Sequence, residues 1–576
     1  MNKIDIIPYY KVLEELAKHR SINSKIDIYS LCNFNPLVLE KYIKFFLRIK
    51  KIDVKFLNVN YDQIEQEIYS QQFVKKATKA RFIIIGSDIN NKLFFNYNLV
   101  NQYLENLKNN LQQVLIKINK LDNTSIIFFN SLSLLSSNYL SKDNYDKIKK
   151  KINLFNNFLN KLSIKNERLS ILDVEKISNF IGVKNFYDEP NYYISKIPFT
   201  EEANNYLSFE ITKIINSELN VRKKCLIVDL DNTLWGGVLG EEGSHGIDLG
   251  KTFKGESYKN FQKYLKLLQK RGVILAICSK NNLSDVKDCF GNNKEICLNL
   301  SDFSSLQINW NEKYLNVNKI AQDLNIAKDS IVFLDDSEFE REQMRKFNPD
   351  INTLDFPKDP KNLIDTIENS LFFYQNKQTK EDNKKKEQYE ILRRVNQAKL
   401  KANSLDEFLK NLSMKLDIYK VNKSNFDRSV QLTNKTNQFN LTTKRFTPAQ
   451  MQNYINSKNQ LSIIANLKDK YGDNGLTALA MCKKKDNNTW TIDNFLLSCR
   501  IFGRGVENIL LFELLKKLKQ KNVKRVEGRY VQSAKNEMCR NFYFNNKFEE
   551  KKKDSYLFEI KNLKNIKNQF IKIKFF

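Results

Sequence analysis

A short apolar run that ends in two carboxylates constrains this chain more than any other feature. The run is Leu226-Ile227-Val228, and Asp229, Asp231 and Thr233 follow it at alternate positions. Such a run is typical of a strand buried on both faces of a parallel sheet, where ligands bind at the carboxyl end. Carboxylates are costly to bury there unless a cation lies between them. The pattern therefore favours Mg²⁺ and a phosphoryl group over a solvated Asp-Asn turn.

Three later segments carry polar residues that fit the same site. Val273–Cys278 is followed by Ser279-Lys280-Asn281, Ile331–Leu334 is followed by Asp335-Asp336, and Lys313 precedes the amphipathic stretch Tyr314–Asn325. The order strand-DxDxT, strand-Ser, Lys and strand-DD resembles the haloacid dehalogenase (HAD) superfamily, whose members transfer phosphoryl groups through an aspartyl phosphate.

The resemblance gives each residue type a chemical role. Asp229 would attack phosphorus, and Asp231 would protonate the leaving oxygen and then activate water. Ser279 and Lys313 would bind the phosphoryl oxygens and neutralise their charge. The Mg²⁺ ligands would be Asp229, the backbone carbonyl of Asp231, Asp335 and Asp336; which of the last two binds directly stays open, and the resemblance favours Asp335. The other residues expected to contact phosphate or substrate are Thr233, Gly236, Gly237, Lys280 and Asn281.

The spacing of these motifs predicts a site without a large cap domain. Only 49 residues separate Asp229 from Ser279, and 33 separate Ser279 from Lys313. The first insert holds seven of the chain's 16 glycines between Gly236 and Gly255, which predicts a mobile flap. An uncapped site can accept a phosphoryl group that is carried on, or delivered to, a macromolecule.

Composition limits the other classes of function. The chain has a formal net charge of +29, but its lysines are scattered along the whole length and form no localised stripe, so we expect no nucleic-acid binding. Eight cysteines without CxxC pairs argue against a zinc site or a disulfide framework and suit a reduced cytoplasm. We expect no membrane insertion, since no apolar run reaches transmembrane length. The two histidines, His19 and His245, are too few for His-based metal sites or Ser-His-Asp chemistry.

The chain predicts an α/β protein with three domains. Residues 1–200 alternate strand and helix patterns, which predicts a doubly wound domain; residues 221–375 would form the minimal-cap HAD domain, and residues 400–576 a third domain of α+β type. In the third, a strand pattern at Trp490–Ser498 is followed by Arg500-Ile501-Phe502-Gly503-Arg504-Gly505 and a helix pattern at Val506–Gln520. This strand–loop–helix resembles the pyrophosphate-binding loop of GNAT-type N-acetyltransferases, where glycines let backbone N–H groups approach phosphate.

Several segments together resemble one family more closely than any single motif does. They are KCLIVDLDNTLWGGVLGEEG, ILAICSKN, INWNEKYLNV, IVFLDDSEFEREQ, TNQFNLTTKRF, FLLSCRIFGRGVE and SAKNEMCRNFY. They are similar to the FkbH-like family of the HAD-IIIC type, which joins an SGNH-hydrolase-like domain, a minimal-cap HAD domain and a GNAT-like domain. The resemblance implies a Mg²⁺-dependent enzyme that dephosphorylates an acyl phosphate of a three-carbon acid, such as 1,3-bisphosphoglycerate. The glyceryl group would pass to the pantetheine thiol of an acyl carrier protein, in a secondary-metabolite or surface-glycan pathway.

Two expectations depend on cysteines. A glyceryl-transfer reaction requires a thiol, and the candidates are Cys278 beside Ser279, Cys225 at the start of the first motif strand, and Cys499 beside the RxxGxG loop, although each could be an ordinary buried residue. In the N-terminal domain, Cys32 stands where related chains have Ser, and no histidine lies near the end of the domain. We therefore expect that domain to be structural or to serve docking, not hydrolysis.

Two other functions remain open at this point. One is a phosphatase or phosphotransferase that acts on a sugar phosphate or phosphoprotein without acyl transfer. The other is a scaffold whose three domains only bind a carrier protein, and the intact set of Asp229, Asp231 and Asp335 argues against it.

Overall fold

The structure is a computed structural model of the chain. It describes residues 4–18, 24–59, 63–87, 97–119, 126–130, 141–166, 168–219, 222–250, 252–375, 391, 394–395, 398, 404–533, 536–564 and 570–576. The chain divides into two compact units, one of residues 1–221 with 374–376 and the other of residues 222–373 with 377–576. The three domain boundaries expected from the sequence stay a prediction. The charged connecting segment before residue 404 lies largely outside the described residues.

The first unit contains a five-stranded parallel sheet in the order β2-β1-β3-β4-β5. Alternate residues of β1 pack into two different cores: Tyr29 and Leu31 face one side of the sheet, and Ile28 and Cys32 face the other. Both faces are therefore covered by helices, as the alternating pattern predicted. The elements are β1 Ser24–Cys32, β2 Ile52–Asn58, β3 Phe82–Gly86, β4 Ile126–Asn130, β5 Leu169–Leu172, α1 Tyr9–Ala17, α2 Leu37–Ile49, α3 Ile64–Tyr69, α4 Gln71–Lys79, α5 Tyr97–Asn119, α6 Lys142–Lys165, α7 Val174–Ile181, α8 Glu189–Ser195 and α9 Glu201–Leu219.

The second unit begins with another parallel sheet, in the order β10-β9-β6-β7-β8. The motif strands β9, β6 and β7 are neighbours, so their carboxyl ends lie side by side. Strands β8 and β10 were not predicted from the sequence. The elements are β6 Cys225–Val228, β7 Ile274–Ser279, β8 Phe303–Ile308, β9 Ile331–Leu334, β10 Asn352–Thr353, α10 Leu239–Gly246, α11 Phe253–Lys270, α12 Leu283–Asn292, α13 Lys313–Asp323, α14 Glu338–Phe347 and α15 Leu363–Asn369.

The remainder of the second unit is built on a nine-stranded mixed sheet. Its order is β17-β18-β16-β15-β14-β13-β11-β19, with β12 paired to β15. Helix α19 follows β15 and leads to β16, which pairs with β15 in parallel. The strand and helix predicted on either side of the RxxGxG loop are confirmed. The elements are β11 Met414–Lys420, β12 Phe439–Asn440, β13 Gln460–Asp469, β14 Gly472–Lys484, β15 Thr489–Leu497, β16 Arg525–Arg529, β17 Glu549–Lys552, β18 Ser555–Glu559, β19 Ile571–Phe575, α16 Leu405–Asn411, α17 Phe426–Lys435, α18 Pro448–Asn456, α19 Val506–Gln520 and α20 Phe542–Asn545.

Candidate active site

The carboxyl ends of β6, β7 and β9 bring the predicted HAD residues together. The backbone N–H of Asp229 donates to the carbonyl of Leu334 over 3.1 Å, which fixes the end of β6 against the end of β9. Asp335 follows β9 directly, and Ser279 is the last residue of β7. Asp229, Asp335 and Ser279 are all buried. Residues far apart in the sequence thus meet at one edge of the sheet.

Three carboxylates form a candidate metal centre at this edge. Asp229, Asp335 and Asp336 each offer an oxygen, and these oxygens lie within 4.8 Å of one another. The Oδ1 atom of Asp229 is buried and has no hydrogen-bond partner among the described residues. A buried carboxylate oxygen without a donor is costly unless a cation binds it. The cluster therefore fits a hard divalent cation such as Mg²⁺, which prefers carboxylate oxygens.

Lys313 is the cation that faces these carboxylates. Its Nζ lies 3.0 Å from Asp229 Oδ2 and 2.7 Å from Asp335 Oδ2, and all three side chains are buried. Burial lowers the pKa of Lys313, but Asp229 and Asp335 outweigh this effect and hold the pKa above its ordinary value. Lys313 is thus charged throughout the physiological range and can neutralise a phosphoryl group next to Asp229.

The pKa values of two carboxyl groups in the cluster are raised. Burial raises the pKa of Asp335, the charge of Asp229 raises it further, and Lys313 opposes both effects. Burial and the charge of Asp229 likewise raise the pKa of Asp336 to about 6. Three carboxylates facing one lysine have excess negative charge, which a divalent cation would offset. The Arg341 guanidinium donates to the backbone carbonyls of Asp335 and Asp336, over 2.8 and 2.7 Å, and so holds the turn in place.

The side chain of Asp231 lies outside the acidic cluster and accepts three hydrogen bonds. Its Oδ1 accepts from Trp235 Nε1 at 3.0 Å and from the backbone N–H of Leu239 at 3.1 Å. Its Oδ2 accepts from Asn281 Nδ2 at 2.9 Å. The three hydrogen bonds fix the orientation of the carboxylate. The expected metal contact through the backbone carbonyl of Asp231 stays a prediction. The role of Trp235 was not predicted.

The residues expected to bind phosphate fall into two groups. Ser279 and Thr233 are buried, and Thr233 Oγ1 has no hydrogen-bond partner in the described part of the chain. Asn281 donates to Ser279 Oγ over 3.2 Å and to Asp231, so its amide N–H groups are already used. Lys280 instead pairs with Glu340 at 2.8 Å and Glu312 at 3.4 Å. Lys280 therefore links the loop after β7 to α14 and to the residue before α13, and it is not free for phosphate.

The two glycines after Trp235 serve the local turn. Gly236 N–H donates to the carbonyl of Asp248 over 3.0 Å, and Gly237 N–H donates to Asn232 Oδ1 over 2.9 Å. Gly237 has a φ of 89°, which favours glycine. Both backbone N–H groups are already hydrogen-bonded, so neither is available for the predicted contact with phosphate. The glycine-rich insert contains α10 and is tied to the loop after α12, where Asn293 Nδ2 donates to the Ser244 carbonyl over 2.7 Å. The mobile flap expected for this insert stays a prediction.

Two of the three candidate thiols lie in the core. Cys225 and Cys278 are fully buried and pack with Ile227, Val317 and Ile320. Burial raises the pKa of both thiols well above the ordinary range. These properties describe inert apolar residues and not acyl acceptors. The side chain of Cys499 lies outside the described residues, although its backbone belongs to the short 3₁₀ helix Cys499–Ile501.

The RxxGxG loop has the backbone conformation that a phosphate-binding turn requires. One of its two arginines, however, is not available to contact phosphate. Gly503 and Gly505 have φ angles of 71° and 75°, and a side chain added at either would enter open space. Arg504, in contrast, is buried in an ion pair with Asp469 Oδ2 at 2.8 Å and donates to the Arg500 carbonyl. Arg504 therefore holds the loop, which corrects its expected phosphate contact. Arg500 Nε donates to Ser498 Oγ over 3.2 Å.

The N-terminal Cys32 is also buried. Burial raises the pKa of its thiol to about 12, and the Cβ of any residue replacing Gly86 would lie only 2.7 Å from its sulfur. This packing suits a structural residue and not a nucleophile. Among the helices that the structure describes, none has the length and apolar character of a membrane span.

Comparison with known proteins relates the chain to a magnesium-bound phosphatase domain. The sequence matches no protein-family model and no curated protein. The structure is similar to the N-terminal part of BF1531 from Bacteroides fragilis, which contains a phosphatase domain complexed with Mg. The two sequences are 25% identical and the structures have a TM-score of 0.55; the match covers 64% of this chain and 99% of that one. A GNAT-family acetyltransferase from Staphylococcus aureus also matches, at 17% identity and a TM-score of 0.21, over 25% of this chain and 99% of that one. The α/β fold class predicted from the sequence is confirmed by the parallel sheets and by the likeness to BF1531.

Proposed function

We propose that this chain is a Mg²⁺-dependent HAD-type phosphatase whose reaction is coupled to transfer of a glyceryl group to a carrier-protein thiol, as in the FkbH-like family. The observation that best supports a phosphatase activity is the buried oxygen of Asp229, which has no hydrogen-bond partner among the described residues and lies in the cluster of Asp229, Asp335 and Asp336. The likeness to a phosphatase domain complexed with Mg agrees with the same cation. Mg²⁺ bound there would polarise the phosphoryl group and shield its charge.

The side chains at the strand ends divide the chemistry between them. The Asp229 carboxylate attacks phosphorus, so an Oδ–P bond forms while the bond from phosphorus to the leaving oxygen breaks. Asp231 gives its proton to that oxygen and then takes one from the water that hydrolyses the aspartyl phosphate. Lys313, 3.0 Å from Asp229, neutralises the charge on the phosphoryl oxygens, and buried Ser279 offers a hydroxyl.

A bisphosphorylated three-carbon acid requires two different reactions. The acyl phosphate has to react with the thiol, so that a C–S bond forms and inorganic phosphate leaves. Attack of Asp229 on that phosphorus would release a free carboxylate and lose the activation. The Asp229 site is therefore assigned to the phosphate ester, whose alkoxide leaving group needs the proton from Asp231.

The carrier is proposed to dock its pantetheine arm on the C-terminal loop. Gly503 and Gly505 adopt positive φ angles directly before α19, and the first turn of a helix is where backbone N–H groups can bind an anion. Arg500 remains as the candidate side-chain contact, because Arg504 is paired with Asp469. The N-terminal domain is proposed to be non-catalytic, and the protein to act in the cytoplasm.

A phosphatase without acyl transfer is the second candidate. The buried state of Cys225 and Cys278 agrees with it, because a simple phosphatase needs no acyl-accepting thiol on the enzyme. Its substrate would be a sugar phosphate or a phosphoprotein that reaches the uncapped site.

A paired assay separates the two functions. The protein is incubated with Mg²⁺ and 1,3-bisphosphoglycerate, with and without a pantetheine-loaded carrier protein. Inorganic phosphate is measured by colour and the carrier by mass spectrometry. Glyceryl transfer predicts phosphate release together with a glyceryl mass gain on the carrier. Phosphate release at the same rate without any mass gain would support the simple phosphatase, and no release in either case would refute glyceryl transfer.

A further inference from the structure

We infer that Trp235 and Asn281 are positioning residues for Asp231, a role that rests on the proposed function, in which Asp231 transfers the protons. Their N–H groups meet the Asp231 carboxylate from two directions, at 3.0 Å on Oδ1 and 2.9 Å on Oδ2. The Leu239 backbone N–H adds a third hydrogen bond, at 3.1 Å on Oδ1. Asn281 was expected to bind phosphate, and Trp235 had no expected role.

Trp235 is a rigid donor. Its side chain is fully buried, and its ring packs edge-on against Phe290 with centroids 5.9 Å apart. Gln262 Nε2 donates to the carbonyl of the preceding residue, Leu234, over 2.8 Å and so fixes the backbone next to the indole. A carboxylate bonded to a donor of this kind cannot rotate without losing the hydrogen bond.

Asn281 links Asp231 to the residue expected to hold phosphate. Its Nδ2 donates both to Asp231 Oδ2 and, over 3.2 Å, to Ser279 Oγ. It is buried in the loop that follows β7. One amide group therefore sets the position of Asp231 relative to Ser279.

The hydrogen bonds decide which part of Asp231 can react. A carboxylate oxygen has about two lone-pair sites. Oδ1 accepts two N–H groups and is saturated, whereas Oδ2 accepts one. The remaining site on Oδ2 is the one at which Asp231 can exchange a proton with the leaving oxygen or with water. Loss of either side-chain donor would let this site turn away from phosphorus.

The test separates the two halves of the reaction. With p-nitrophenyl phosphate as the probe and Mg²⁺ present, nitrophenolate leaves with little help from an acid, while hydrolysis of the aspartyl phosphate still requires Asp231. Trp235→Phe and Asn281→Ala should slow hydrolysis at least about tenfold and change the rate of phosphoenzyme formation less than about threefold. The fraction of Asp229 phosphorylated at steady state, measured by rapid quench and mass spectrometry, should therefore rise. Trp310→Phe is the matched control, because that indole donates to Asn282 and not to Asp231.

A second readout does not depend on turnover. The chain has three tryptophans, so ¹⁵N-labelled indole groups give three signals that Trp→Phe variants assign. Asp231→Asn should shift the Trp235 signal and leave those of Trp310 and Trp490 in place. An unshifted Trp235 signal, or variants in which formation and hydrolysis fall together, would overturn the positioning role. A wild-type protein that releases no phosphate from the probe, with the indole shift still present, would instead refute the proposed function.

Discussion

Asp336→Asn should stabilise the metal-free protein at pH 8. In the folded chain, burial and the charge of Asp229 raise the pKa of Asp336 from 3.8 to about 6. A rise of this size corresponds to about 3 kcal/mol for a fully buried group. Asp336 is partly exposed, and solvent screening lowers the cost of its ionisation to about 1–2 kcal/mol. An amide at this position carries no charge and removes that cost.

The sign of the effect depends on pH. Because the folded-state pKa lies above the unfolded value, the folded protein binds the proton more tightly, and stability is lost as pH rises from about 4 to about 6. The advantage of Asp336→Asn should therefore be absent at pH 4 and complete at pH 8. For a domain of 150–250 residues, it corresponds to a rise in Tm of about 3–6 °C.

The Tm difference between variant and wild type is measured by thermal unfolding in EDTA at pH 4 and pH 8. The unfolding transition to follow is the one that Mg²⁺ shifts in the wild-type protein. Asp350→Asn is the control, since Asp350 is exposed in the same sheet domain. With saturating Mg²⁺ the order should reverse, because the wild type keeps a carboxylate that the variant lacks. A lower Tm for Asp336→Asn in EDTA at pH 8 would show that ionised Asp336 does not destabilise the folded protein, and the metal centre would then be supported by the unpartnered Asp229 oxygen alone.

Four further outcomes follow from the same geometry. Asp229→Asn should reduce phosphate release to below about a tenth of the wild-type rate while Tm stays within a few degrees, measured by colour assay and calorimetry. EDTA should abolish phosphate release, with recovery on Mg²⁺ addition and poor recovery with Ca²⁺, whose longer contacts misplace the nucleophile. Gly503→Asn should lower glyceryl loading of the carrier without lowering the phosphate release that is measured in the absence of carrier; asparagine tolerates a φ of 71°, so loading at the wild-type rate would refute docking at this loop. Iodoacetamide should label partly exposed Cys297 in the native protein and leave Cys278 unmodified, as peptide mass spectrometry would show.

The sequence predicted the part of the site that lies at the carboxyl ends of the strands. Asp229, Asp335 and Ser279 meet because β9, β6 and β7 are adjacent, and an apolar run followed by polar residues predicts such a position directly. The partners of Lys280 and Asn281 were beyond this reasoning. Lys280 pairs with Glu312, just before α13, and with Glu340 in α14, and these helices approach it only in the folded domain. The spacing of residues along one strand does not predict which side chains other elements of the fold bring next to it.

The burial of Cys278 bears on the proposed reaction. Cys278 adjoins Ser279 in the sequence, but adjacent residues of a strand point to opposite faces of the sheet. Cys278 therefore packs with Cys225 in the core, on the side of the sheet where Ile227 and Ala276 lie. A thiol that reacts with a substrate at the Asp229 site has to come from a separate segment or from another molecule. Of the seven cysteines whose side chains are described, six are buried. These positions favour the carrier's own pantetheine thiol as the group that attacks the acyl phosphate, which would need no enzyme-bound thioester.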